Sequence, residues 1–386
     1  MYFRLRCLVH TSTTGSTRVL VPVFYAEDGR HACVTSFLFV TNHSSMAYQY
    51  LIGATHYGVH RDVLQWKATD TLPHCGENQV LIRVQYVELN PVDLQKLLPS
   101  KVGQEIPERE ASLIVGYGGA GIVIQSRASG FEENDKVVFL ADPRRSGAYA
   151  THVAVDAMCV TRIPIDYPMV MAATLPLSGC TAFESLKKLS LVQAANLLIV
   201  GGAGGVGSWA TLLAKANFPS LDILCTASSD ESKTWCLENG ASSVMAHHEI
   251  LGKLGGGPKG SVDRILCLTE PTPDVWKALT EVVRPYGTIC LVVAGPSIGS
   301  LDLGFCFFKA VTVTTETVFS SQRTNYSHCV PSRHMEEMLD LLASGTISRA
   351  PLAEDAGSWK DCLQEGGVLD RLASGHLRGK LVMKVD

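Results

Sequence analysis

Residues 196–208, Asn-Leu-Leu-Ile-Val-Gly-Gly-Ala-Gly-Gly-Val-Gly-Ser, decide how the rest of the chain is read. The apolar run Leu197 to Val200 stops at glycines, and a helix-forming stretch, Ser208 to Asn217, follows. Gly202, Gly204 and Gly207 carry the G-x-G-x-x-G spacing, with Gly205 and Val206 inside it. Between a strand and a helix this is the pattern of a dinucleotide-binding turn. The first glycine lets the chain turn tightly, the second lets backbone approach a pyrophosphate, and the third lets the helix pack close to the strand. The helix start adds unpaired N–H groups and a partial positive charge for phosphates. A plain glycine-rich loop satisfies the spacing too; the strand before and the helix after give it weight.

The bulk properties agree with an enzyme of two domains. At 386 residues the chain exceeds what one hydrophobic core usually serves. An apolar fraction of 46% supplies such cores, and an 18% charged fraction leaves little for long disordered tails. The net charge of −4 argues against nucleic-acid or membrane binding driven by electrostatics. Gly and polar residues interrupt every apolar run before it reaches the length of a membrane span. Twelve cysteines run from Cys7 to Cys362 without a C-x-x-C pair, which points away from a zinc ribbon and towards buried thiols in a reducing compartment.

Four parts are expected. Residues 1–45 have no acid before Glu27, while Arg4, Arg6 and Arg18 lie among Ser and Thr. That composition suits a mitochondrial transit segment; equally, the domain begins at Met46 and the preceding residues are an upstream extension. The expected location is cytoplasmic, or mitochondrial if the segment targets. Residues 46–165 form the first domain, with a first strand beginning at Met46 and β-rich runs Val80–Val87, Gly121–Gln125, Lys136–Phe139 and Ala148–Val155 between turn signals. Their short, even spacing predicts a barrel-like β-domain. Residues 166–317 switch to alternating helix and strand: Leu197–Val200, Asp222–Thr226, Arg264–Leu268, Thr288–Val293 and Ala310–Thr315. This is the rhythm of a doubly wound parallel sheet. Residues 318–386 hold one helix, Arg333 to Ala343, and a last strand, Lys380–Val385, expected to return and complete the β-domain.

Several motifs now stand in a familiar order: Asn90-Pro91-Val92-Asp93, Gly116-Tyr117-Gly118-Gly119-Ala120-Gly121, Gly147-Ala148-Tyr149-Ala150, Thr181-Ala182, the glycine turn, and Gly379-Lys380. Together they resemble the medium-chain dehydrogenases/reductases, in the zinc-independent, quinone-oxidoreductase-like branch often labelled zinc-type alcohol-dehydrogenase-like. The resemblance covers about residues 46–386. It implies an α/β fold: a GroES-like β-barrel catalytic domain with an inserted Rossmann domain.

Zinc-dependent members carry a Cys on the first catalytic loop, a Gly-His-Glu and a four-cysteine lobe. Here Asn90 lies near the Cys slot, Gly116-Tyr117-Gly118 replaces Gly-His-Glu, and residues 139–147 contain no cysteine. Tyr117 and Gly118 cannot supply the converging N, S or O ligands that zinc needs. His247-His248, the only His pair, would point to opposite faces if it lay on a strand. No metal is expected. Without a Lewis acid, the reaction is hydride addition to a quinone or to a carbon–carbon double bond conjugated to a carbonyl, whose oxygen takes the developing charge.

The cofactor expectation is NADPH. An NAD site places an acid about twenty residues beyond the glycines; this chain reads Thr226-Ala227-Ser228-Ser229-Asp230-Glu231-Ser232-Lys233. Ser228, Ser229 and Lys233 offer donors and charge to a 2′-phosphate. The same residues also read as a Ser N-cap with acids in a first helical turn, and Asp230 keeps NAD open.

The resemblance implies Asn90 and Asp93 beside the nicotinamide, with Thr181 at the start of the linking helix. It implies Arg378 and Lys380 closing over the cofactor from the C-terminal end. Lys380 also reads as a surface lysine entering the last strand, and Asn90-Pro91 as a turn. Tyr117, in the slot of a zinc-binding His, donates a hydrogen bond or walls the pocket. Relatives often have Asp where Gly118 stands, so the glycine is expected to open the site. Residues 96–110 and 317–325 are expected to line the pocket but follow no readable motif. An enoyl-thioester reductase and an NADPH-binding protein with little turnover remain alternatives. The β-prone run Val311 to Thr315, approached by Phe305, Phe307 and Phe308, predicts a sheet edge that pairs with its two-fold copy in a homodimer.

Overall fold

Short β-prone runs broken by Gly, Asn and Pro bury a face most readily by pairing antiparallel with near neighbours, whereas strands separated by helices pair in parallel. The computed structural model shows both regimes, and describes residues 48–52, 58–95, 114–324, 330–375 and 377–385. The first regime comprises β1 (Tyr48–Ile52), β2 (Gln65–Thr69), β3 (Gln79–Leu89), β4 (Gly118–Ser126), β5 (Lys136–Leu140), β6 (His152–Asp156) and β7 (Val160–Arg162). The second comprises β8 (Asn196–Val200), β9 (Asp222–Thr226), β10 (Ser243–Met245), β11 (Val262–Cys267), β12 (Val283–Leu291) and β13 (Thr312–Thr315). The chain then returns through β14 (Leu352–Ser358) and β15 (Lys380–Lys384).

The first sheet runs β14-β15-β3-β4-β5-β7, with β6 also on β3, while β1 and β2 pair by themselves. β3 is the spine of this sheet: its start pairs with β6 and its end, Tyr86 to Leu89, pairs with β15. The last strand of the chain therefore lies beside the strand that leads into Asn90. The second sheet is parallel throughout, in the order β10-β9-β8-β11-β12-β13. This is a Rossmann-like sheet beside a GroES-like domain.

Alternation along β8 divides the core. Leu197 and Ile199 join the large cluster that continues into the β-domain, and Leu198 and Val200 join a separate cluster with Ile265, Trp276 and Leu279. A strand segment buried on both faces has to be apolar throughout, as β8 is from Leu197 to Val200. The linking helix Pro176–Leu189 packs on the first side, and the helix Pro273–Val282 on the second. Lys309, wholly buried, donates from Nζ to the carbonyls of Thr280, Glu281 and Val283 at 2.7–2.9 Å, and so satisfies the carbonyl end of that second helix.

Several boundaries differ from expectation. The helix after the glycines starts at Gly205, three residues early, because Gly204 serves as its N-cap. β6 begins at His152, not Ala148; the N–H groups of Gly147, Ala148 and Tyr149 are spent on the carbonyls of Ile114, Gly116 and Val115. β13 starts at Thr312 because Ala310 takes a left-handed conformation (φ 50°). Residues 1–45 and Met46 lie outside the described residues.

Candidate active site

The glycine turn is built from both sides. Gly201 holds the left-handed conformation (φ 84°), so the tight turn falls one residue before the motif's first glycine. Its N–H donates to Thr226 Oγ1 at 3.0 Å, and the Gly202 N–H donates to the Thr226 carbonyl, which tethers the turn to the end of β9. Gly202 is needed for packing: a Cβ there would lie 2.7 Å from Cys225 Sγ. A Cβ on Gly207 would lie 2.6 Å from the carbonyl oxygens of Gly201 and Gly202, the close approach of helix to strand that the spacing predicts. Gly204 differs, since a Cβ there meets nothing nearer than 3.7 Å. Its glycine is not demanded by the protein's own atoms. Gly205 and Val206 form the first helical turn, whose N–H groups have no side-chain cap. An uncapped helix start beside an open glycine fits a phosphate.

The C-terminal strand reaches this turn. The Gly379 N–H donates to the Ala203 carbonyl at 2.8 Å, and Gly379 bridges Gly204 in parallel. Gly379 is left-handed (φ 53°), and a Cβ there would lie 2.5 Å from Trp235 Cζ2. Trp235, donating from Nε1 to Ser208 Oγ at 2.8 Å, wedges the junction.

Lys380 follows, and it is not a surface lysine: only 2% of it is exposed. Its stem passes Gly205, whose Cβ would lie 2.5 Å from Lys380 Cδ. Its ammonium reaches the Leu89-Asn90 segment at the end of β3. It donates to Asn90 Oδ1 at 2.6 Å and to the Leu89 carbonyl at 2.9 Å, and pairs with Glu88 Oε2 at 3.0 Å. Ser178 Oγ also donates to Asn90 Oδ1, at 3.1 Å, so two donors fix which way the amide faces. The other Glu88 oxygen accepts the Leu177 N–H at 2.5 Å, near the start of the linking helix. Burial pushes the Glu88 carboxyl up, against the ammonium, the Leu177 N–H and the nearby Asn90 amide that hold it down. The space at Gly118 is not open: a Cβ there would fall inside contact distance of Glu88 Oε1. The expected opening is filled from the neighbouring strand.

Asp93 sits behind this loop. Its Oδ2 accepts the Asn90 N–H at 2.7 Å and the Tyr149 hydroxyl at 2.8 Å. Burial drives its pKa up to about 7, with the Asn90 N–H and Tyr149 hydroxyl opposing. Tyr117 is buried with its ring 4.8 Å from that of Phe319. Thr181 is buried one turn along the linking helix from Ser178. Asn90, Lys380, the glycine turn and the linking helix thus converge. Residues 96–113 and Asn325 lie outside the described residues.

At the end of β9, Ser228 and Ser229 are exposed. Ser229 caps the helix Asp230–Glu238 by accepting the Ser232 N–H at 3.2 Å, and Lys233 Nζ contacts Asp230 at 2.9 Å. Arg378 is exposed nearby. The Glu231 carboxyl is held below its usual range by its own backbone N–H and the Ser229 hydroxyl, then by the Arg378 charge. His247 lies on a short 3₁₀ turn, not on a strand, with Nδ1 2.8 Å from Thr226 Oγ1.

Among the described residues, no three His, Cys, Asp or Glu side chains converge as metal ligands. Asn90, Tyr117 and Gly118, at the positions where the zinc-dependent enzymes place ligands, do not form a zinc donor set. Glu88, Leu177, Ser178 and Trp235 were not among the residues the sequence pointed to, and Tyr149 stood there only as part of a motif, with no role. The one available signal was Glu88, a charge inside the apolar end of β3.

Comparison with known proteins agrees with this geometry. Residues 76–165 match the alcohol dehydrogenase GroES-like domain. A zinc-type alcohol dehydrogenase-like protein of Staphylococcus epidermidis is 31% identical over 326 residues, covering 81% of this chain and 93% of that protein. The 2-methylene-furan-3-one reductase of Solanum lycopersicum is 34% identical over 175 residues, 43% of this chain and 44% of the reductase. A mycobacterial protein solved with NADPH shares the fold at 22% identity, with a TM-score of 0.70 over 87% of this chain and 99% of its own. The chain belongs to the medium-chain dehydrogenase/reductase superfamily, in its quinone-oxidoreductase-like branch. It is an oxidoreductase of that fold.

Proposed function

We propose that this protein uses NADPH, without zinc, to reduce an α,β-unsaturated carbonyl compound or a quinone. The observation that carries the reading is the joint at Gly379-Lys380, which ties the dinucleotide turn to Asn90 through protein hydrogen bonds alone. Bound NADPH would supply a hydride; the glycine turn and the start of its helix would hold the pyrophosphate. Asn90 and Tyr117 would present donors to the substrate oxygen as it gains charge, and Asp93 would hold the loop that carries Asn90. Thr181 would line the nicotinamide side of the linking helix. The acid-free end of β9, with Ser228, Ser229, Lys233 and Arg378 around it, supports NADPH over NADH by about tenfold or more, or ~1.4 kcal/mol. The name of the tomato reductase and the NADPH complex of the mycobacterial protein support the same class.

The test is NADPH and NADH consumption across enals, enones, quinones and enoyl-CoA, before and after chelator. Reduction of an enone or quinone, unchanged by chelator, is expected. Activity lost with chelator overturns the zinc-free reading. Turnover of enoyl-CoA alone selects a thioester reductase, and tight NADPH binding with no turnover selects a binding protein. We further propose a homodimer through the β13 edge. Phe307 and Phe308, 90% and 72% exposed, lie just before that strand and suit a partner's cover. Light scattering should show a dimer that Val313→Lys converts to monomer; a monomeric parent ends the idea.

A further inference from the structure

Two departures in the sequence are one feature in space. β4 begins with a glycine, Gly118, and β3 carries a charge, Glu88, between the apolar Val87 and Leu89 at its end. The Glu88 carboxylate occupies the volume that a side chain on Gly118 would fill, against Pro176 at the start of the linking helix. A buried carboxylate is costly unless paired and hydrogen-bonded, so a fold that retains one must hold it closely. Here it is held by the Leu177 N–H and the Lys380 ammonium.

We propose that Glu88 is the positioning residue of this site, locking Lys380 and thereby the register between the catalytic loop and the dinucleotide turn. Three segments meet at Glu88, and a fourth meets its partner Lys380. β3 carries Glu88, the linking helix donates Leu177 N–H, β15 sends Lys380, and the Lys380 stem packs on Gly205 of the glycine-turn helix. Lys380 then holds Asn90 Oδ1 while the residue before it, Gly379, is bonded to Ala203. Remove the carboxylate and the buried ammonium loses its ion-pair partner, leaving only the more distant Asp93 carboxyl. Lys380 must then withdraw, pulling on Gly379 and releasing Asn90. The carboxylate is needed at that point in space, and which strand delivers it is secondary: Gly118 on β4 opens onto the same volume.

This inference rests on reading the glycine turn as an NADPH site, and its test does not need a substrate. NADPH affinity is measured by fluorescence titration, with circular dichroism confirming that each variant is folded at the assay temperature. Glu88→Gln, which keeps shape, and Glu88→Ala should each weaken NADPH about tenfold or more. Gly118→Asp alone should also weaken it, because the new side chain collides with Glu88 and with Pro176. Combining Glu88→Ala with Gly118→Asp removes the collision with Glu88 but not the 2.7 Å approach to Pro176 Cβ, so it should recover part of the affinity lost in Glu88→Ala, by about threefold or more. Lys309→Met, which removes a buried lysine elsewhere, should lower the melting temperature without moving NADPH affinity.

Parental affinity in both Glu88 variants overturns the proposal. An equal loss of affinity in Lys309→Met would also overturn it, since general destabilisation would then explain the effect. If the compensating pattern appears while no enone, quinone or enoyl-CoA is reduced, the reductase reading fails and Glu88 keeps its role. If the parent protein does not bind NADPH, both fail.

Discussion

The glycine turn takes its shape mainly from nearby chain before the distant Gly379 docks on it: the Gly201 N–H finds its acceptor, Thr226 Oγ1, 25 residues away, and Gly207 packs on the carbonyls of Gly201 and Gly202. Around Asn90 the partners are remote. Leu177 N–H reaches Glu88 across 89 residues, and Lys380 reaches Asn90 across 290. The turn works through backbone shape and the absence of side chains, whereas the loop works through buried charge held by side chains from distant strands. A turn of the first kind announces itself in a short motif. A cluster of the second kind exists only once the sheet has brought β15 beside β3.

The largest effect should come from breaking the charged cluster. Lys380→Met leaves Glu88 buried without its counter-charge and should cost about 3–5 kcal/mol in urea denaturation. A loss below about 1 kcal/mol would mean that Glu88 is readily neutralised and that the cluster contributes little.

Asp93 gives the second. Burial raises its folded pKa to about 7, above the ordinary carboxylate value. Between about pH 4 and pH 7 the folded chain therefore holds a proton that the unfolded chain has lost. The Asp93 contribution to stability falls as pH rises through that window and is constant above it. Asp93→Asn should flatten this slope, a difference of about 2–4 kcal/mol between the two proteins across the window. Parallel stability–pH curves would show that Asp93 titrates normally.

The turn supplies a sharper pair. Gly207→Ala puts a methyl 2.6 Å from two carbonyl oxygens and should cost about 1–3 kcal/mol by overpacking, with loss of NADPH binding. Gly204→Ala meets nothing nearer than 3.7 Å and should leave stability within about 0.5 kcal/mol, while still weakening NADPH. Equal melting temperatures for the two variants would contradict the division of labour among the glycines.

The smallest effect belongs to Lys233→Ala. Its contact with Asp230 lies at the surface, where such pairs contribute about 0–1 kcal/mol. NADPH should weaken by no more than about fivefold, and NADH less, in titrations of both cofactors. A loss beyond about tenfold would make Lys233 the main reader of the 2′-phosphate.

Much of the fold was legible because its signals are local. The apolar run before Gly201, the glycine spacing and the alternation of strand and helix each depend on neighbours within a few tens of residues, so sequence alone determined the Rossmann-like sheet, a β-rich first domain and the turn between Val200 and Ser208; the GroES-like character of that domain came with the family resemblance. The motif order also determined the superfamily. The tertiary structure decided what the motif residues do. It turned Lys380 from a candidate surface lysine into a buried partner of Asn90, and filled the space at Gly118 with Glu88. It also moved the left-handed residue of the turn to Gly201. The physical reason is burial: the role of a charged or polar side chain is set by which distant groups share its low-dielectric surroundings, and sequence spacing carries no information about a neighbour 290 residues away.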